Sequence, residues 1–195
     1  TKAKEVVPTE GKTKATVDAY NEAKTAAEKA VRDAEAVIND ENVTAKAVAE
    51  ALANVNAKKA ALEAAKAALV DKVTEAQKTT LGNAGTDLAV LGDAELAGKT
   101  KATADAYKAE TGNLTEEIAA AKREAEAILA DPENKTQAEA ALVEAKIAAL
   151  KAKLEAAKAK LVAKADTAEL SAAKADLDTK AKEVVPTEGK TKATV

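Results

Sequence analysis

Gly-Lys-Thr occurs three times in this chain, at 11–13, 98–100 and 189–191. The triplet is the end of a phosphate-binding loop, whose backbone N–H groups wrap a phosphate while the lysine neutralises it. That loop also needs a glycine five positions earlier. Those positions hold Val6, Asp93 and Val184, so the triplets read instead as turns that start helices. Asn42-Val-Thr44, Asn113-Leu-Thr115 and Asn134-Lys-Thr136 have the form of glycan acceptors. Each stands where a helix should begin, and Asn and Thr are the side chains that cap exposed helix N–H groups. Asp40-Glu41 and Asp131/Glu133 could offer oxygens to calcium, but the spaced run of ligands that a calcium loop requires is absent.

Composition removes most other chemistry. The 195 residues contain no Cys, His, Met, Trp or Phe, and Ser171 is the only serine. Without Cys or His there is no disulfide, no structural zinc site of the usual kind, no thiol nucleophile and no imidazole base. No catalytic residue, cofactor site or metal site is therefore expected, and the chain reads as a non-enzyme. Lysines and arginines (30) are matched by acids (33), for a net charge of −3, and no basic patch carries interleaved aromatics. That pattern argues against nucleic acid as a partner. No apolar run reaches the ~18 residues a membrane span needs, so no membrane insertion is expected. The two aromatics, Tyr20 and Tyr107, occupy equivalent repeat positions. They are the only bulky side chains that could anchor a protein ligand, and packing is the competing role.

The elements that position these residues follow from repetition and period. Residues 1–17, TKAKEVVPTEGKTKATV, recur unchanged at 179–195, and GKTKATADAY (98–107) matches GKTKATVDAY (11–20). Segment 34–70 aligns with 125–162 across one gap. The organisation expected is the end of a preceding repeat (1–10), a first unit (11–97), a second unit (98–188) and the start of another (189–195). Unchanged ends on a diverged interior suggest that the block itself repeats in a longer parent.

Within the first unit, Val17, Tyr20, Ala27, Val31, Ala34 and Ile38 recur at helical steps until the polar turn 39–42. Val48, Val55, Leu62 and Leu69 then fall every seventh residue, predicting one helix from about Thr44 to Lys78, roughly 50 Å long. Leu81-Gly82-Asn83-Ala84-Gly85 should end it. In the second unit a break is expected at Gly112-Asn113, with Asn113 and Glu116 as cap and capping glutamate. A stop follows at Asp131–Asn134, with a second capping box from Thr136 and Glu139. The seam Val143, Ile147, Leu150, Leu154, Ala157, Leu161 has coiled-coil spacing. A turn near 164–167 precedes Leu170, Leu177 and Val184, and Pro186 should close the last helix. More than a quarter of the residues are alanine, which favours helix and closely spaced axes but leaves little bulk for a core.

The stretch 111–154, TGNLTEEIAAAKREAEAILADPENKTQAEAALVEAKIAALKAKL, resembles the FIVAR repeat, a domain "found in various architectures". Its hallmark is a helix ending in a turn like ILADPENKTQAE, followed by an Ala/Leu-rich helix. The resemblance implies small three-helix bundles in cell-wall-anchored proteins of Gram-positive bacteria. The first unit fits less well, because NDENVTAKA lacks the proline and the capping glutamate. The expected fold is all-α, with elongated, three-helix-like bundle modules arranged end to end as a rod. The expected function is a stalk or spacer of an extracellular bacterial surface protein, with neighbouring repeats as its partners. One alternative is a module that binds a host extracellular protein of the fibronectin, albumin or immunoglobulin class. Another is a disordered stress-protection protein of the late-embryogenesis-abundant kind, whose composition is similar.

Overall fold

The computed structural model describes residues 5–183 and Glu188. Its described residues form seven helices in the order α1 (Lys14–Ile38), α2 (Ala45–Ala67), α3 (Glu75–Gly92), α4 (Lys101–Asn113), α5 (Thr115–Ala130), α6 (Gln137–Ala159) and α7 (Ala168–Lys182). The expected stop at Pro186 and the third Gly-Lys-Thr triplet lie outside the described residues. The protein is all-α.

Helices α1 and α2 form a hairpin that closes on Tyr20, Ala27 and Leu62, with Val7, Ala23, Ala65 and Leu69 packed around them. The larger core lies in the second half, where α3, α5 and α6 pack on one another. It buries Leu81, Ala84 and Leu88 from α3, Ala121, Ala125 and Ile128 from α5, and the α6 seam Ala140, Val143, Ile147, Leu150 and Leu154. The seam read from coiled-coil spacing is thus the buried edge of α6 from Val143 to Ala157, while Leu161 falls after the helix ends and is half-buried. Alanines fill the close approaches and leucines supply most of the apolar area; a fully buried leucine contributes about 2–3 kcal/mol.

Two sequence expectations are corrected here. The helix expected from Thr44 to Lys78 is broken at residues 68–74, and α3 starts after Thr74. Thr74 accepts from the Gln77 backbone N–H while the Gln77 side chain accepts from the Thr74 N–H, a complete capping box. Nor does the glycine pair end a helix: α3 runs through Gly82 and Gly85 to Gly92. Each interior glycine costs about 1 kcal/mol relative to alanine. Burial of Leu81, at 2% exposure, and Leu88, at 1%, outweighs that cost.

The packing also crosses the sequence repeat. Helix α3 belongs to the first unit (11–97), yet it is buried against the second unit's α5 and α6. Among the described residues the hairpin α1–α2 therefore has no third helix packed into its core. Helix α7, which follows the second hairpin as α3 follows the first, buries no residue. Its Leu170 and Leu177 are 71% and 70% exposed.

Candidate inter-repeat junction

Gly11 takes φ +74°, a backbone region that costs a side chain about 1–2 kcal/mol. The resulting turn brings Lys12 alongside Asp71 in an antiparallel bridge. Thr13 donates its N–H to the Val70 carbonyl at 2.8 Å, and Lys72 donates to the Gly11 carbonyl at 2.9 Å. The Lys12 ammonium meets the Asp71 carboxylate at 2.7 Å. Thr13 is the one buried polar residue among those described, and its hydroxyl pairs with that of Thr16 at 2.9 Å. The Gly-Lys-Thr triplet is thus a clasp between the start of α1 and the end of α2.

A third segment comes from the second unit. Residues 131–137 lie against the other side of the 71–73 link: Lys72 bridges Thr136, Val73 donates to the Lys135 carbonyl at 2.9 Å, and Gln137 donates to the Asp71 carbonyl at 3.0 Å. The same turn reaches α1, where Lys14 donates to the Glu133 carbonyl at 2.7 Å and Ala15 to Asn134 Oδ1 at 3.2 Å. The first N–H groups of a helix have no partner inside it, and here a neighbouring repeat unit supplies the acceptors. Lys72 also holds the Glu133 carboxylate at 2.6 Å. That hydrogen bond is the main reason the Glu133 carboxyl sits below its ordinary pKa, with the charges of Lys72 and Lys78 adding to it. Glu139 is lowered as well, first by the Thr136 backbone N–H and then by the Thr136 hydroxyl.

The expected cap at Thr136 and Glu139 forms in full: Glu139 accepts from the Thr136 N–H at 2.8 Å, and Thr136 Oγ1 accepts from the Glu139 N–H at 3.1 Å. The expected cap at Asn113 and Glu116 does not. Asn113 is the last residue of α4, and Leu114 stays in the right-handed helical region, so carbonyls rather than a side chain take the N–H groups. The Ile118 N–H, for example, reaches the Leu114 carbonyl at 2.9 Å. Glu116 lies in the first turn of α5 without a cap bond. Thr44 caps α2 by accepting from Ala47 at 3.2 Å. The Thr74–Gln77 box has the Thr-x-x-Gln form in the sequence, but the seven-residue spacing of Val48 to Leu69 carried the expected helix across it.

The two tyrosines are packing residues. Tyr20 is 3% and Tyr107 4% exposed, which leaves no ring face for a protein ligand. Tyr107 also donates to the Leu91 carbonyl at 2.9 Å, tying α4 to the end of α3. The acidic turns are engaged internally: Asp131 accepts twice from the Asn134 amide, at 3.0 and 3.1 Å. Among the described residues no three acidic side chains converge as metal ligands, and no helix is long and apolar enough to cross a membrane.

The Gly98 junction repeats the first two segments. Gly98 takes φ +71°, Thr100 donates to the Val162 carbonyl at 2.9 Å, and Lys164 donates to the Gly98 carbonyl at 2.7 Å. These bonds reproduce those of Thr13 and Lys72 at the first junction. Compared with known protein families, with curated proteins and with solved structures, the chain matches none.

Proposed function

We propose that this chain is a spacer built from tandem helical units, of the kind that projects another domain from a bacterial cell wall, as its FIVAR-like stretch implies. The observation that carries the reading is the placement of α3: a helix of the first unit completes the core of the second. Helix α3 cannot leave that core without exposing leucines, so the short 68–74 link that ties the α1–α2 hairpin to it is anchored at its far end. The three-segment junction adds a second constraint, since its hydrogen bonds join the start of α1 to the turn after α5. Length and stiffness are then the function, and number of units sets reach.

The alternatives draw less support. A host-protein binder draws most on exposed aromatic anchors; both tyrosines are buried, and the exposed apolar residues of α1–α2 are aliphatic. A dispersed stress-protection chain has no use for a common core of three helices. The test is small-angle X-ray scattering over a concentration series at micromolar chain. A monomer with one constant cross-section is expected. An expanded coil, or particles whose maximum dimension varies as freely jointed units would, refutes the spacer.

A further inference from the structure

Three features remain unused by the junction and the core. The hairpin α1–α2 has an apolar groove at the end nearest its 39–44 turn, lined by Val37, Ile38, Val48, Leu52 and Val55. Ile38 and Leu52 are 78% and 59% exposed. Helix α7 carries an unburied leucine face. Among the described residues the Gly98 junction has two chain segments where the Gly11 junction has three.

From these we infer that α7 of one copy docks in the α1–α2 groove of a second copy, head to tail, as α3 docks on α5–α6 within this molecule. Donor and receptor both have their counterparts in that internal interface. The donor face of α3 is LGNAGTDL (81–88), and α7 carries LSAAKADL (170–177). Both place Leu, Ala, Asp and Leu at the same spacing. On the receptor, the alignment of 34–70 with 125–162 sets Val37 and Val55 where Ile128 and Ile147 lie buried beneath α3. Val48 and Ala51 exchange sizes with Ala140 and Val143, which conserves volume across the pair. The departure is Lys58, which stands at the place of Leu150.

Charge and chain path agree with this register. Asp87 on α3 is paired with Lys151 on α6. The corresponding residues are Asp176 on α7 and Lys59 on α2, both exposed. Residues 5–10 are the same as 183–188, the residues that follow α7. In this molecule they are seated on the α1–α2 hairpin, with Val7 in its core and Glu5 paired with Lys66. In a docked pair the second copy's own 5–10 keeps that seat and the first copy's residues after α7 must pass beside it, whereas in a tandem array one segment serves as both. Docking would also bring the exposed 39–44 turn of the second copy, the counterpart of 131–136, onto Lys101, Ala102 and Lys164 of the first. Those are the counterparts of Lys14, Ala15 and Lys72, which the 131–137 turn engages here. The interface is heterologous, so it propagates rather than closing.

The chain has no cysteine, so single thiols report on the contact without background. Full-length chains carrying Lys59→Cys and Asp176→Cys are mixed at about 1 mM, the effective concentration that direct linkage of two units supplies, and treated with a short bis-maleimide. A cross-linked dimer of the two chains is expected. Ala175→Cys, on the opposite side of α7, should give at least tenfold less of it. Adding Leu177→Asp to the Asp176→Cys chain should abolish the dimer while leaving far-UV circular dichroism unchanged. No dimer from the first mixture overturns the inference; that is the outcome if α7 folds onto its own chain or if another protein fills the groove. Equal yields from Asp176→Cys and Ala175→Cys overturn it as well. The inference rests on the tandem reading of the repeats, yet it fails separately. A chain that scatters as a stiff particle but gives no dimer keeps the spacer and loses the docking.

Discussion

Leu88 and Leu177 close the same Leu-x-x-Ala-x-x-Asp-Leu pattern, on α3 and α7 respectively. One is 1% exposed and the other 70%. Leu88→Ala removes three carbons from the core, a transfer loss of about 2.4 kcal/mol at ~0.8 per methylene. Incomplete collapse of the space adds roughly 0.5–1.5 kcal/mol at ~24 cal/mol per Å³. The neighbours most able to move inward are alanines, which reach little, so a total of about 3 kcal/mol is expected. Leu177→Ala at micromolar chain should stay within about 0.5 kcal/mol, as exposed substitutions do. Urea unfolding reads the difference. With a slope of about 2 kcal/mol per molar, the midpoint should fall by about 1.5 M for Leu88→Ala and by less than about 0.3 M for Leu177→Ala. A Tyr20→Phe background leaves Tyr107, bonded to the Leu91 carbonyl, as the single tyrosine reporter of the core that α3 completes. Equal shifts for the two leucines, or a loss that spares the Tyr107 signal, would refute the placement of α3 in the second unit's core.

Three further outcomes separate backbone, cap and charge. Gly98→Ala should destabilise by about 1 kcal/mol, because φ is +71° there, whereas Gly82→Ala, inside α3 with open space around it, should stabilise by about 0.5–1 kcal/mol in thermal melts. Thr136→Ala should cost about 1 kcal/mol through loss of the α6 cap, while Asn113→Ala, which caps nothing, should cost less than about 0.5 kcal/mol. Glu133 and Glu139 are both depressed below their ordinary value of 4.5, so their stabilisation is present above that value and is lost as pH falls through the lower folded-state values. Urea midpoints should therefore drop between neutral pH and about pH 3, and Glu139→Gln, which keeps the box without a titrating group as Gln77 does in α3, should flatten that slope.

Much of the local structure was legible from residue types. Thr-x-x-Glu at 136–139 specifies a cap whose atoms all lie within one turn, and it forms as read. The 4-3 spacing of Val143 to Leu154 specifies one buried edge of α6, and that edge is buried. Gly11 and Gly98 mark turns because only glycine enters their backbone region freely. Failures occurred where a local preference met a distant partner. The glycines of α3 oppose helix by about 1 kcal/mol each, and only the leucine burial supplied by α5 and α6 overrides them. Asn113 could cap, but Leu114 keeps the chain helical and leaves it nothing to cap.

The sequence by itself determined that this chain is helical, where most of its helices start, and that its two units are related. Those properties depend on side chains a few residues apart. Tertiary structure alone decided that α3 belongs to the core of the unit that follows it, and that the Gly11 clasp joins α1 to the turn after α5. Alanine seams are nearly alike on every helix, so no local pattern says which hairpin a helix will choose. That choice is made by the summed burial of leucines far apart in the chain, and by N–H groups at a helix start that find acceptors in a neighbouring repeat unit.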